Sequence, residues 1–196
     1  MKQVALAASV IAVVGGIGVL KFRASSELPE GMLVPEEPRQ TATIAKPFFS
    51  GRYRITPLFN YRIRARVLSV KPYPREDDSD LMPIDLALGW GPMSNSKVIR
   101  DFRISQDVRH VFVSPLNQDA LPYEVVGSKL ANVHCCPDRE WIADELAAIQ
   151  PNTIVTLEGW LIRATRNDGF QVTSSISRDD NKGGACEILW VRKVTR

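Results

Sequence analysis

Cysteine is scarce in this chain, and the little there is makes no framework. Three cysteines, Cys135, Cys136 and Cys186, stand among 196 residues. Adjacent cysteines rarely bridge each other, because the closed ring strains the peptide between them. One of the pair could bridge Cys186 and leave an odd thiol, so a disulfide scaffold is excluded and the redox compartment stays open. There is no CxxC and there are only two histidines, so no structural zinc site is expected. Low-complexity repeats are absent, and no cofactor is expected. A marked excess of one charge is missing too: the formal net charge of +3 is too small to argue for a polyanion partner by itself.

What is present begins with an apolar run. Residues 4–20 (VALAASVIAVVGGIGVL) carry no charge, and Ser9 is their only polar side chain. As a helix the run would reach about 26 Å at ~1.5 Å per residue, just short of a bilayer core. Lys2, Lys21 and Arg23 could cover the deficit by snorkelling. Lys21 and Arg23 follow Leu20 at once, where a cleaved signal peptide would need small residues. The expectation is an uncleaved single transmembrane helix over 1–23. Basic residues flank both ends, so orientation is weakly determined. The reading taken is a bacterial inner-membrane, single-pass protein with its domain in the periplasm. Ala8, Ala12 and Gly16 share a helix face and could support a homodimer through the anchor.

Residues 24–47 contain Pro29, Pro35, Pro38 and Pro47 with four glutamates, and read as an extended spacer. The domain is expected over 48–196. Tyr53 and Ile55 alternate with Arg52 and Arg54, and Tyr61, Ile63, Ala65 and Val67 alternate with Arg62, Arg64 and Arg66. Period two predicts two strands, each with one buried face. Further strands are expected around 84–91, 110–113 and 129–135, while 98–104 fits helix or strand. Asp138 is expected to cap a helix whose apolar face is Trp141, Ile142, Leu146 and Ile149. A three-strand meander closes the chain, turning at Asn167-Asp168-Gly169. The fold class predicted is mainly β with one or two helices (α+β), as a small OB-like barrel or a partly open sheet.

Several segments carry a resemblance: Met32–Gln40 (MLVPEEPRQ), Asp85–Ser94 (DLALGWGPMS), Ala131–His134 (ANVH), and Ser174-Ser175 through Gly184-Ala185-Cys186-Glu187. Together they resemble a family of uncharacterised bacterial single-pass membrane proteins, over nearly the whole chain. The resemblance implies a bacterial origin, an anchor and one domain of this size. It implies no activity.

Four constellations are candidates for function. Arg52, Arg54, Arg62, Arg64 and Arg66 would form a positive stripe able to meet phosphates or anionic lipid headgroups; a solvated strand face is the plain alternative. Cys186 could act as a nucleophile with His134 as its base and Asn132 orienting the ring, which would make a Cys-dependent enzyme; a buried inert thiol is the other reading. The acidic runs at 77–80 and 179–181 resemble half calcium loops but lack the closing ligands, so no metal site is expected. Trp90, between two glycines, could line a ligand groove or plug a barrel end. The function these features favour is a membrane-anchored, non-enzymatic binding or adaptor module for a protein, anionic lipid or other polyanion.

Overall fold

The computed structural model describes residues 29–177 and 186–196. The expected anchor over 1–23, its Ala8, Ala12 and Gly16 face, and the acidic run at 179–181 lie outside the described residues. No helix among the described residues is long and apolar enough to cross a membrane.

The described chain is mainly β. In order come β1 (Arg39–Ala42), β2 (Phe48–Ser50), β3 (Tyr53–Pro72), β4 (Ile84–Gly89), α1 (Ser96–Ile99), β5 (Phe102–Asp107), β6 (His110–Pro115), α2 (Tyr123–Ser128), β7 (Leu130–Pro137), α3 (Glu140–Ala147), β8 (Ile154–Thr165), β9 (Gln171–Thr173) and β10 (Glu187–Thr195). Three α-helices are described where one or two were expected; α1 and α2 are too short to show a helical period. Eight strands form a partly open sheet in the order β1-β3-β4-β7-β10-β8-β9, with β2 paired to β3 off this path and β8 pairing back to β3; β5 and β6 form a separate two-stranded sheet. The β7–β10 pair is parallel; the other pairs are antiparallel.

The arginine-rich stretch is one 20-residue strand rather than the two expected. Its pairing with β8 slips between Pro57 and Phe59. Proline has no N–H for the ladder, and a bulge is where a long strand tolerates it. The extra residue reverses which face alternate side chains meet. Arg54 pairs with Thr165 and Arg62 with Glu158. Those partners are an odd number of positions apart on β8, so Arg54 and Arg62 face opposite sides.

The same reversal lets β3 serve two cores. Tyr61, Ile63, Ala65 and Val67 join Leu86, Val133, Cys135, Leu157, Leu161 and Leu189 inside the curled sheet, capped by Ile142 and Leu146 of α3. Tyr53 and Ile55 join Cys136, Ile162, Ile188 and Trp190 on its outer side, under Leu81 and Met82.

Part of the stretch expected to be a spacer lies against the sheet: Gly31 N–H donates to Asn95 Oδ1 at 3.3 Å, and Glu30 meets Lys97 at 3.1 Å. Val34 is fully buried, and the amides of Leu33 and Val34 both donate to Ser94 Oγ, at 3.1 and 3.0 Å. Glu37 accepts Trp90 Nε1 at 2.6 Å and pairs with Lys129; Glu36 pairs with Arg64 at 3.7 Å. Prolines set an extended path here, and Glu36 and Glu37, still half-exposed, meet cations on the domain.

Two further expectations are corrected. Asp138 makes no cap for α3; its carboxylate accepts Trp190 Nε1 at 3.1 Å and pairs with Arg139. Trp141 is half-exposed beside Arg139, while Ile142, Leu146 and Ile149 are buried. The last three strands are not a meander either: β9 and β10 both pair with β8. The turn chemistry does hold, with Gly169 at φ +93 and the Phe170 amide donating to Asp168 Oδ1 at 3.0 Å.

The β5–β6 hairpin turns on Val108 and Arg109, with φ of 42° and 65°. Two consecutive positive φ values suit the twist of a two-residue hairpin, but a β-branched valine there is strained. Strain of this kind costs about 1–3 kcal/mol and persists only where neighbours over-determine it. Arg109 supplies those neighbours.

Candidate functional site

The first constellation is a basic groove on the outer face of β1, β3, β8 and β10. It encloses about 480 Å³, and Arg39, Arg62, Arg192 and Lys193 line it with the single carboxylate Glu158 and the ring of Trp160. A second bulge builds it. The β10–β8 register passes from Val191 opposite Gly159 to Lys193 opposite Glu158, which leaves Arg192 as the extra residue. Bulges re-aim side chains, and here the Arg192 guanidinium lies 4.3 Å over the Trp160 ring. Gly159 permits the approach, since a Cβ there would stand 1.9 Å from the Trp190 carbonyl oxygen. Trp160 Nε1 donates to Asn60 Oδ1 at 3.1 Å, which fixes the indole edge. Glu158 sits 3.8 Å from Arg62 Nε and 3.5 Å from Lys193 Nζ, too far to neutralise both firmly.

The five expected stripe arginines are dispersed. Arg62 lies in the groove. Arg64 pairs with Glu36. Arg54 faces the other side of β3 and is exposed. Arg52 pairs with Asp80 at 2.9 Å and also meets Asp77. Arg66 is no surface residue at all: it is 5% exposed and donates to Ser96 Oγ, Asn152 Oδ1 and the Ser94 carbonyl at 2.8, 2.9 and 3.2 Å. Trp90 is 1% exposed and packs in the inner core, so it plugs rather than lines a groove.

The second constellation sits on the outer face of β4, β7 and β10. Asp85 on β4 is directly opposite His134 on β7, and His134 is directly opposite Ile188 on β10. Cys186 lies two residues before Ile188, so it returns to the same face. Asp85 is fully buried, and His134 is 7% exposed. His134 Nδ1 approaches Asp85 Oδ1 at 2.9 Å, off the axis of a ring N–H hydrogen bond. Burial opposes charge on the imidazole, but the Asp85 carboxylate and the Cys186 sulfur outweigh it and raise its pKa to about 9. Asn132 touches the carboxylate rather than the ring: its Nδ2 is 3.4 Å from Asp85 Oδ2 and donates to the Arg109 carbonyl at 3.0 Å, while Gln106 donates to its Oδ1 at 2.6 Å. All three cysteines are free.

Arg109 completes this cluster from the hairpin turn. Its guanidinium meets Asp85 at 3.0 Å, Asp78, and Glu76 at 3.2 Å, donates to the Met82 carbonyl at 2.8 Å, and lies 3.9 Å over the Tyr73 ring. The acidic loop that resembled half a calcium site is thus spent on arginines, with Arg166 taking Asp77 at 2.7 Å. No group of three or more metal-ligating side chains occurs among the described residues.

The raised pKa of His134 has a consequence for stability. An unfolded imidazole titrates near 6.5, so the folded-state contribution is full below that pH and is lost as pH rises through about 9. Stability of the wild type should fall by on the order of 3 kcal/mol across that window, at ~1.4 kcal/mol per pKa unit. His134→Gln should flatten this part of the profile, as followed by urea unfolding from pH 6 to 9.5.

Sequence reading did not find Arg39, Arg192, Lys193 or Trp160, nor Asp85 and Arg109. One signal was available for Asp85, a lone acid inside the apolar run IDLALG. Comparison with family models, with curated proteins and with solved structures finds no match to this chain.

Proposed function

We propose that the domain is a non-enzymatic binding module that takes an anionic ligand in the Arg39–Arg62–Arg192–Lys193 groove, held beside a membrane by the apolar segment 4–20. One observation carries this reading: a bulge places Arg192 on Trp160 and gathers four cations around a single carboxylate. Cations arranged this way meet phosphate oxygens through charge-assisted hydrogen bonds. Beside a bilayer the nearest source of such oxygens is anionic lipid headgroups.

We read the sheet as a small OB-like barrel. The neighbour order β3-β4-β7-β10-β8 that returns to β3, the parallel β7–β10 pair, and α3 between β7 and β8 all support it. Barrels of that kind present ligands on an exposed strand face.

The test is binding of the full chain to vesicles of anionic or zwitterionic phospholipid, with inorganic polyphosphate as competitor, over a salt series. Binding should require anionic lipid and weaken steeply with salt. Salt-independent binding, or equal binding to zwitterionic vesicles, would overturn the reading. Glu158→Gln removes the one opposing carboxylate and should tighten binding about fivefold, at ~1 kcal/mol per charge near the surface.

A further inference from the structure

We propose that Cys186 is a nucleophilic thiol that captures soft carbon electrophiles by conjugate addition, with His134 carrying the proton and Asp85 positioning the imidazole. The site is separate from the basic groove. It is assembled from three strands whose register is fixed: Asp85 opposite His134, and His134 opposite Ile188, two residues after Cys186. The same register puts the Cys186 sulfur on the face that carries His134, 3.8 Å from the Arg109 carbonyl. At Nδ1 of the imidazole stands a fully buried carboxylate that Arg109 also holds. A thiol, an imidazole and a carboxylate on one face is an arrangement in which the ring, steadied by the carboxylate, holds the proton that a nucleophilic sulfur gives up.

The other two cysteines provide the contrast. Cys135 and Cys136 are fully buried, and that burial pushes both thiols up, away from the reactive thiolate form. Only Cys186 of the three is partly exposed. Its neighbourhood therefore separates it from the others by access as well as by its imidazole.

The chemistry balances with no further reactant but water. Sulfur adds to the β-carbon of an alkene conjugated to a carbonyl. The C–S bond forms, the C=C π bond breaks, and its electron pair moves toward the carbonyl. The proton carried on His134 is then delivered to the α-carbon. The product is a thioether on Cys186 and a neutral imidazole on His134, which takes a proton back from water. The substrate class is a small, uncharged, carbonyl-conjugated alkene.

N-ethylmaleimide is the probe. The full chain is treated in the native state and in urea, quenched at intervals, and mapped by peptide mass. In the native protein the adduct should appear on Cys186 while Cys135 and Cys136 remain unmodified. Its rate should exceed that of the same cysteine in the unfolded chain by at least about tenfold, a modest share of what positioned acid–base groups supply. His134→Gln should remove that excess. Asp85→Asn should fall between the two, with Cys135 and Cys136 still protected as the readout that the fold survives. A native rate no faster than the unfolded one overturns the proposal, and so does a wild-type rate in His134→Gln. A wild-type rate in Asp85→Asn overturns the positioning role. The native-against-unfolded comparison needs no variant, so it decides the matter even if a substitution prevents folding.

Discussion

Replacing Arg109 with methionine should destabilise the fold by about 3–5 kcal/mol, the range for removing one partner of a buried ion pair. The substitution keeps most of the apolar stem and removes only the charged fork. It leaves Asp85, which has no solvent access, without one of the two cations beside it, and half-buried Asp78 without its arginine. It also removes the cation from the Tyr73 face and the donor to the Met82 carbonyl, so the loop over the outer core loses its anchor. The strained φ values at Val108 and Arg109 lose the contacts that hold them. Arg52→Met is the matched control. Its pairs to Asp80 and Asp77 are roughly half-exposed, so it should leave the unfolding midpoint close to wild type. Urea unfolding reads both, and equal small losses would show that the Arg109 network is not what closes this face.

The second large effect is on binding. Arg62→Gln, Arg192→Gln and Lys193→Gln together should weaken binding to anionic vesicles about 100-fold, taking ~1 kcal/mol per basic residue at a charged surface and 1.4 kcal/mol per tenfold. Arg62 and Lys193 have half-exposed or more exposed side chains, so the triple variant should keep a near-wild-type unfolding midpoint. Arg54→Gln is the control, because the Pro57–Phe59 bulge turns that side chain to the opposite face. It should leave binding within about twofold.

The sequence made the β-rich domain legible because period-two alternation is a direct consequence of strands with one buried face. It did not reveal the bulges at Leu58 and Arg192. Arg52, Arg54, Arg62, Arg64 and Arg66 share sequence parity, and an unbroken strand would have put them on one side. One extra residue at Leu58 separates them, and nothing in the alternation of apolar residues shows it, since Tyr53 and Ile55 are as buried as Tyr61 and Ile63. Arg66 looks like its neighbours in sequence but is buried by the Ser94, Ser96 and Asn152 groups that meet it from distant segments. The contacts of the 33–37 stretch were hidden for a related reason. Nothing local to Glu36 and Glu37 shows that Arg64, Lys129 and the Trp90 indole N–H meet them from distant segments.

The candidate thiol site was half legible. Cys186, His134 and Asn132 stood out as residue types, but their contact depends on a parallel β7–β10 register that no local pattern encodes. Asp85 and Arg109 enter it from β4 and from a hairpin turn, 24 residues apart in sequence. The basic groove was less legible, because Arg192 reaches Trp160 only through the bulge in β10.

The most direct test of the anionic-ligand reading is a vesicle-binding salt series on the wild type beside the Arg62, Arg192 and Lys193 triple variant. The expected result is a steep fall of wild-type affinity with salt and a shallower slope in the variant, lower by roughly one for each contact removed. Identical slopes in the two proteins would contradict it, because the charges that meet the ligand would then lie elsewhere on the molecule.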